Sequence, residues 1–224
     1  MSTATRITAP DGAEFHASLG EVFGERAAVA RAYADFLVTE GIERGVLGPR
    51  EADRIWPRHL FNSAALASLI PAGARVVDLG SGAGLPGIPL AIARPDLTVV
   101  LLEPMQRRVR FLRDCLAVLD LPQVEIVEGR ADGELSISAD VVVARAVAPL
   151  ERLITLAFGL LVDDGVLLAL KGASAASEIE QLGRDAAVTA ELLSVFAAGE
   201  PATVVRVRRR PVGGAARRAK KGSR

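Results

Sequence analysis

One cysteine, Cys115, stands in 224 residues, so neither a disulfide framework nor a Cys-rich zinc site is available to this chain. Histidine is nearly as scarce. His16 and His59 lie far apart and do not suggest a metal site. No apolar run reaches the roughly 18 uncharged residues of a membrane span, because Asp, Glu or Arg interrupts every candidate. The polar stretch after Met1 lacks the apolar centre of a secretory signal. These absences lead us to expect a cytoplasmic protein with no metal and no membrane partner; a monomer is a separate expectation, on which the residues are silent.

Half of the residues are apolar and 24% are charged, which supplies one sizeable core and excludes wholesale disorder. The formal net charge of zero hides an asymmetry. Nine of the 27 basic residues lie between Arg206 and Arg224 without a single acid, leaving 18 basic against 27 acidic side chains upstream. Such a run reads as a disordered arm of the kind that often contacts nucleic acid. A solubilising end, or one folded back on the acidic body, is equally open.

From Phe15 to about Thr39 apolar residues recur at helical spacing, until Gly41 and Gly45 break the pattern. Pro49 opens a short helix and Pro57 restarts another that runs to about Ile70. From Arg75 the pattern changes. Strand-like runs at 75–79, 98–103, 124–128, 140–144 and 166–171 alternate with helical runs near 87–93, 105–119, 149–161 and 174–190. Two further β-leaning stretches, 192–197 and 203–207, follow. Short apolar strands separated by helices predict a doubly wound, mostly parallel α/β sheet of Rossmann-like form with an N-terminal helical cap. The expected divisions are a helical part over 1–70, a core over 71–208 and a basic, disordered tail over 209–224.

The first strand runs into Asp78-Leu79-Gly80-Ser81-Gly82-Ala83-Gly84-Leu85-Pro86-Gly87. Gly80, Gly82 and Gly84 let the backbone turn tightly and approach a ligand at the C-terminal edge of the sheet. The stretch satisfies the dinucleotide pattern GxGxxG literally, but an acid at the strand tip sits poorly beside a pyrophosphate. A ligand carrying an ammonium group, such as S-adenosylmethionine, suits Asp78 better. Glu103 ends the second strand, where an acid can accept ribose hydroxyls. Ala131 and Asp132 follow the third, where amides and an acid could bracket an adenine edge. Asp78 and Glu103 could equally be helix caps.

Cations share that edge: Arg130, Arg145 and Lys171 follow strands three, four and five. Buried cations need anions, so they imply either local ion pairs or a phosphate-bearing substrate. Arg108 falls on the apolar stripe of the helix after strand two and is positioned to reach the same crevice. Cys115, on that stripe, reads as packing. His59 could help to cap the crevice.

These motifs resemble the RsmG (GidB) family of bacterial 16S rRNA methyltransferases. The likeness runs over roughly residues 46–180: Leu47-Gly48-Pro49-Arg50-Glu51, Ile55-Trp56-Pro57-Arg58-His59-Leu60, the glycine loop with its Leu85-Pro86-Gly87-Ile88-Pro89 extension, then Arg107-Arg108-Val109-Arg110-Phe111-Leu112, Gly129-Arg130-Ala131-Asp132, Arg145-Ala146-Val147-Ala148 and Leu170-Lys171-Gly172. The resemblance implies a class I methyltransferase fold and an S-adenosylmethionine cofactor. It also implies 16S rRNA or the small ribosomal subunit as partner, with a guanine N7 in the decoding-centre loop as methyl acceptor. It implies cofactor contacts at Gly80, Leu85, Ala131, Asp132 and Arg145, with Glu103 near the ribose, and RNA or catalytic roles for His59, Arg130, Arg145 and Lys171. Asp132 stands where many members carry Glu. The residues alone leave other readings open: a methyltransferase for another RNA, a protein or a small molecule, an NAD(P)-binding oxidoreductase, or a non-catalytic RNA-binding module.

Overall fold

The structure is a computed structural model that describes residues 12–183 and 187–210. Its seven strands are β1 (Arg75–Leu79), β2 (Thr98–Glu103), β3 (Val124–Glu128), β4 (Ala139–Arg145), β5 (Leu161–Leu170), β6 (Val188–Ala197) and β7 (Glu200–Arg209). They form one sheet in the order β3-β2-β1-β4-β5-β7-β6. β1 to β5 pair in parallel, and β7 runs antiparallel to both of its neighbours. The reversal has a local cause: Ala198 and Gly199 both sit at positive φ, as a two-residue hairpin of the primed type requires. Chain order reverses between β1 and β4, which opens the crevice where ligands of such sheets bind.

The pleat splits the apolar side chains into two layers. Val76, Val99, Leu101, Val141 and Val143 face α4 (Gly87–Ala93), α5 (Gln106–Leu119) and the N-terminal helices. Val77, Val100, Leu102, Val142 and Leu167 face α6 (Leu150–Phe158) and α7 (Ala175–Gln181). Among the described residues the N-terminal part has no core of its own. Tyr33, Leu37, Trp56, Leu60 and Phe61 pack into the first layer with Ile88 and Leu90.

Several boundaries differ from the sequence reading. The helix expected over 15–39 is two helices, α1 (Ala13–Phe23) and α2 (Ala27–Phe36), separated at Gly24 with φ +51. From Pro49 the chain winds irregularly through 3₁₀ and π turns and the short α3 (Asn62–Ala64) to Leu69. The helix expected over 149–161 stops at Phe158, and β5 already begins at Leu161. The helix expected over 174–190 stops at Gln181, ahead of Gly183 at φ +70, and β6 begins at Val188. The basic run begins inside the sheet: Arg206 bonds Glu191 across the β6–β7 pair at 2.5 Å, and Arg209 lies over the Phe158 ring. The expected tail beyond Arg210 lies outside the described residues. Among the described residues no helix is long and apolar enough to cross a membrane.

Candidate active site at the strand ends

Asp78 is fully buried at the end of β1, where the chain bends through Gly80, Gly82 and Gly84, all at positive φ. The Gly80 and Ser81 amides donate to the Leu102 carbonyl at 2.8 and 3.2 Å, tying the bend to β2. Glu103, only 1% exposed, tightens it further. Its Oε2 accepts from the Gly82 amide and its Oε1 from the Met105 amide, both at 2.9 Å. Each Glu103 oxygen thus holds one backbone donor and keeps a second lone pair. Asp78 Oδ2 accepts from the Gly87 amide at 3.0 Å, while Oδ1 is buried without a partner among the described residues. Burial pushes the Asp78 carboxyl up to about 7, against a bond from Gly87 that favours the ionised form.

A cavity of about 190 Å³ opens beside this bend, lined by Gly80, Leu102, Ala131, Asp132 and Val147. A side chain at Gly80 would meet Val147 Cγ2 at 3.0 Å, so glycine keeps this wall open. Val147 follows Ala146, which sits at φ +54, a conformation costing an L-residue about 1 kcal/mol. Asp132 is bonded by Arg130 through Nε and Nη2, both at 2.9 Å, with Arg152 3.7 Å away. The salt bridge holds the Asp132 carboxyl below its usual range. A larger cavity, about 590 Å³, lies at the opposite edge of the sheet against Phe158, Leu182 and Arg209, and contains none of the residues expected to hold cofactor or substrate, though Arg209 and Arg210 of the basic run line it.

The three cations expected to converge do not. Arg130 is largely exposed and faces Asp132. Lys171 Nζ donates to Glu178 of α7 at 2.7 Å and to the Ala148 carbonyl at 2.9 Å. Arg145 turns the other way, towards the cap: Nη1 donates to the Arg58 carbonyl at 3.1 Å and Nη2 to His59 Nδ1 at 2.8 Å. His59, 4% exposed, bonds Glu51 Oε2 through Nε2 at 2.7 Å. Burial, and then the Arg145 charge, lower the imidazole to about 4, so the ring is neutral at neutral pH. An arginine cannot accept, so Nδ1 carries the lone pair and Nε2 the proton.

Arg108 reaches towards Glu103, with Nη1 3.8 Å from Oε2, as its place on the helix predicted. Leu85 is buried in the layer beneath the cap. Cys115 is buried, and desolvation pushes its thiol up to about 12, in keeping with packing. Sequence reasoning missed Tyr33, whose hydroxyl donates to the Ala83 carbonyl of the glycine bend at 2.9 Å. It also missed Arg152 and Glu178, and it quoted Glu51 and Val147 within motifs without assigning either a role. The one available signal was that Tyr33 is the only tyrosine in the chain and carries a hydroxyl on an otherwise apolar stripe.

An open sheet with β7 inserted antiparallel beside β5, and a glycine bend between acid-tipped strands, defines the class I methyltransferase fold. Ribosomal protein L11 methylase from Lactobacillus delbrueckii subsp. bulgaricus shares it, with a TM-score of 0.53 at 16% identity over 66% of this chain and 77% of that one. Residues 26–205 match the model of a narrower family, rRNA small subunit methyltransferase G (GidB), and the chain belongs to that family. The ribosomal RNA small subunit methyltransferase G of Mycobacterium sp. (strain JLS) is 50% identical over 202 residues, covering 84% of this chain and 88% of the relative. That of Corynebacterium jeikeium (strain K411) is 48% identical over 213 residues, covering 91% and 96%. The family and the fold class expected from the sequence are both borne out.

Proposed function

We propose that the protein transfers a methyl group from S-adenosylmethionine to N7 of a guanine in the decoding-centre loop of 16S rRNA, in the crevice between β1 and β4. Besides family membership, one observation carries the cofactor assignment: the fully buried Asp78 keeps an unpartnered carboxylate oxygen beside the glycine bend. A buried carboxylate poised near neutrality is stabilised by an incoming ammonium group. Gly80, Gly82 and Gly84 give that ligand close access to backbone. Glu103 would accept ribose hydroxyls through the lone pairs that Gly82 and Met105 leave free. Ala131 and Asp132 line a cavity whose apolar walls, Leu102 and Val147, suit a flat ring. Leu85 supports the bend from beneath.

Bound S-adenosylmethionine supplies an electrophilic methyl group. Guanine N7 offers an in-plane lone pair and needs no proton removed, so this chain's residues have only to hold and align the two partners. Such alignment is worth several kcal/mol. The product base gains positive charge, which a bare cation against N7 would oppose. Arg145 would therefore grip a phosphate or the guanine O6 edge, with the three N–H groups that Arg58 and His59 leave unused. Arg130 and Lys171, each facing a carboxylate, serve the site by holding the loops of Asp132 and Ala148.

Transfer of labelled methyl from S-adenosylmethionine to naked 16S rRNA and to the isolated small subunit, followed by mass mapping of the modified base, tests this reading. The expected result is one methylated guanine, lost in Arg145→Ala with the fold intact. Label on protein or on another base, or full turnover by Arg145→Ala, would overturn it.

A further inference from the structure

We propose that Glu51 and His59 form a positioning relay that fixes the guanidinium of Arg145, so that the N-terminal cap sets where substrate is gripped; this rests on the function proposed for the crevice above. The relay is a chain of two short bonds, Glu51 Oε2 to His59 Nε2 at 2.7 Å and His59 Nδ1 to Arg145 Nη2 at 2.8 Å. A third, from Arg145 Nη1 to the Arg58 carbonyl at 3.1 Å, comes from the residue next to His59. One turn of the cap thus offers two acceptors to one planar fork, which fixes its plane as well as its position.

The choice of acceptors matters. Arg130 and Lys171 each face a carboxylate, at 2.9 and 2.7 Å. Among the described residues Arg145 has no carboxylate within ion-pair distance. A carboxylate touching Arg145 would orient it but also cancel its charge. A neutral imidazole and a carbonyl orient it and leave the charge for an anionic or guanine partner. Glu51 stands one ring away. There it accepts the Nε2 proton and so enforces the lone pair at Nδ1, as a carboxylate fixes the tautomer of a metal-bound histidine. Exchanging that tautomer would set an N–H against the Arg145 fork. Burial and the Arg145 charge disfavour a second proton on the ring, which keeps the acceptor available.

The chain has only two histidines, so ¹⁵N NMR of the rings, assigned with His16→Gln, reads the relay directly. An unprotonated Nδ1 and a protonated Nε2 are expected at neutral pH, with the two tautomers mixing once both neighbours are removed in Glu51→Leu/Arg145→Ala. A protonated Nδ1 in the wild type overturns the relay whatever the protein methylates. The functional arm compares His59→Leu, which removes both bonds, with His59→Asn, which keeps an acceptor and a donor. A misplaced Arg145 lowers turnover about 10- to 100-fold in His59→Leu, with restoration towards wild type in His59→Asn and with cofactor-product affinity unchanged in both. Affinity for RNA, measurable even without turnover, falls in His59→Leu but shows no further fall when Arg145→Ala is added. Additive losses, or wild-type turnover by folded His59→Leu, overturn the proposal. If His59→Leu does not fold, Glu51→Leu carries the same comparison. Failure of the wild type to methylate RNA would strike the functional reading instead, and the NMR result would still decide the relay.

Discussion

Replacing Asp78 by Asn removes the one buried carboxylate that burial drives to about 7, and the cost can be worked out. The shift from 3.8 to about 7 is roughly three pH units. At about 1.4 kcal/mol per unit, ionised Asp78 costs the ligand-free fold about 4 kcal/mol relative to a solvated carboxylate. The folded state holds the proton where the unfolded chain has lost it, so this group lowers stability as pH rises from about 4 to about 7. His59 works in the opposite sense. Its folded value is depressed to about 4, so stability rises with pH between there and 6.5. The two slopes nearly cancel in the wild type, and only a difference between variants shows either. Asn keeps an acceptor for the Gly87 amide but places an NH₂ where Oδ1 has no partner, a penalty of about 1–3 kcal/mol. Urea unfolding from about pH 5 to 8 should therefore show Asp78→Asn gaining on the wild type by about 3 kcal/mol, becoming the more stable protein at the alkaline end. S-adenosylhomocysteine should stabilise the wild type at the alkaline end but not the variant. A difference that stays flat across that range would mean that Asp78 titrates like a solvated acid, and its proposed ammonium contact would lose its basis.

Gly87→Ala should cost about 1–3 kcal/mol and lower Tm by roughly 3–10 °C, because the added carbon would lie 2.5 Å from Leu101 Cδ2 and 2.7 Å from Asp78 Oδ2; an unchanged melt would mean that α4 can lift off β1 and β2 freely. Cys115 should resist thiol reagents in the native protein and react at the rate of global unfolding, so fast native labelling would contradict its burial. Ending the chain after Arg210 keeps β7 whole while removing Arg217, Arg218, Lys220, Lys221 and Arg224. Melting should not change, but RNA affinity should fall and its logarithmic salt dependence flatten by up to about 3.5. An unaltered slope would exclude those five charges from RNA contact.

The sheet was legible because β1, β2, β4 and the second half of β5 are apolar runs between helical periods, and the glycine bend was legible because its turns require residues without side chains. What escaped was polar or distant. Asp163 and Asp164 disguised the start of β5 as a loop. Gly24 broke a helix whose apolar spacing continued unaltered on both sides. The cations were found but their partners were not. Arg145 and His59 are separated by 86 residues, and no local pattern announces such a bond. Tyr33 was absorbed into an apolar stripe because its ring obeys the helical period while its hydroxyl does not.

Register explains why Arg145 and Lys171, so alike in the sequence, differ in the fold. Arg145 pairs opposite Leu170, and Lys171 comes one residue later on the neighbouring strand. With a side-chain period of two, that single step sends the two cations into opposite layers. Lys171 meets α7, which supplies Glu178, and its charge is compensated within the core. Arg145 meets the cap, which supplies a carbonyl and a neutral ring, and its charge is held in place without being cancelled. The cation left for a substrate is therefore the one on the cap side. The N-terminal helical part, which packs into the same apolar layer as β1, β2 and β4, supplies both of its acceptors, so the orientation of Arg145 is set from outside the sheet.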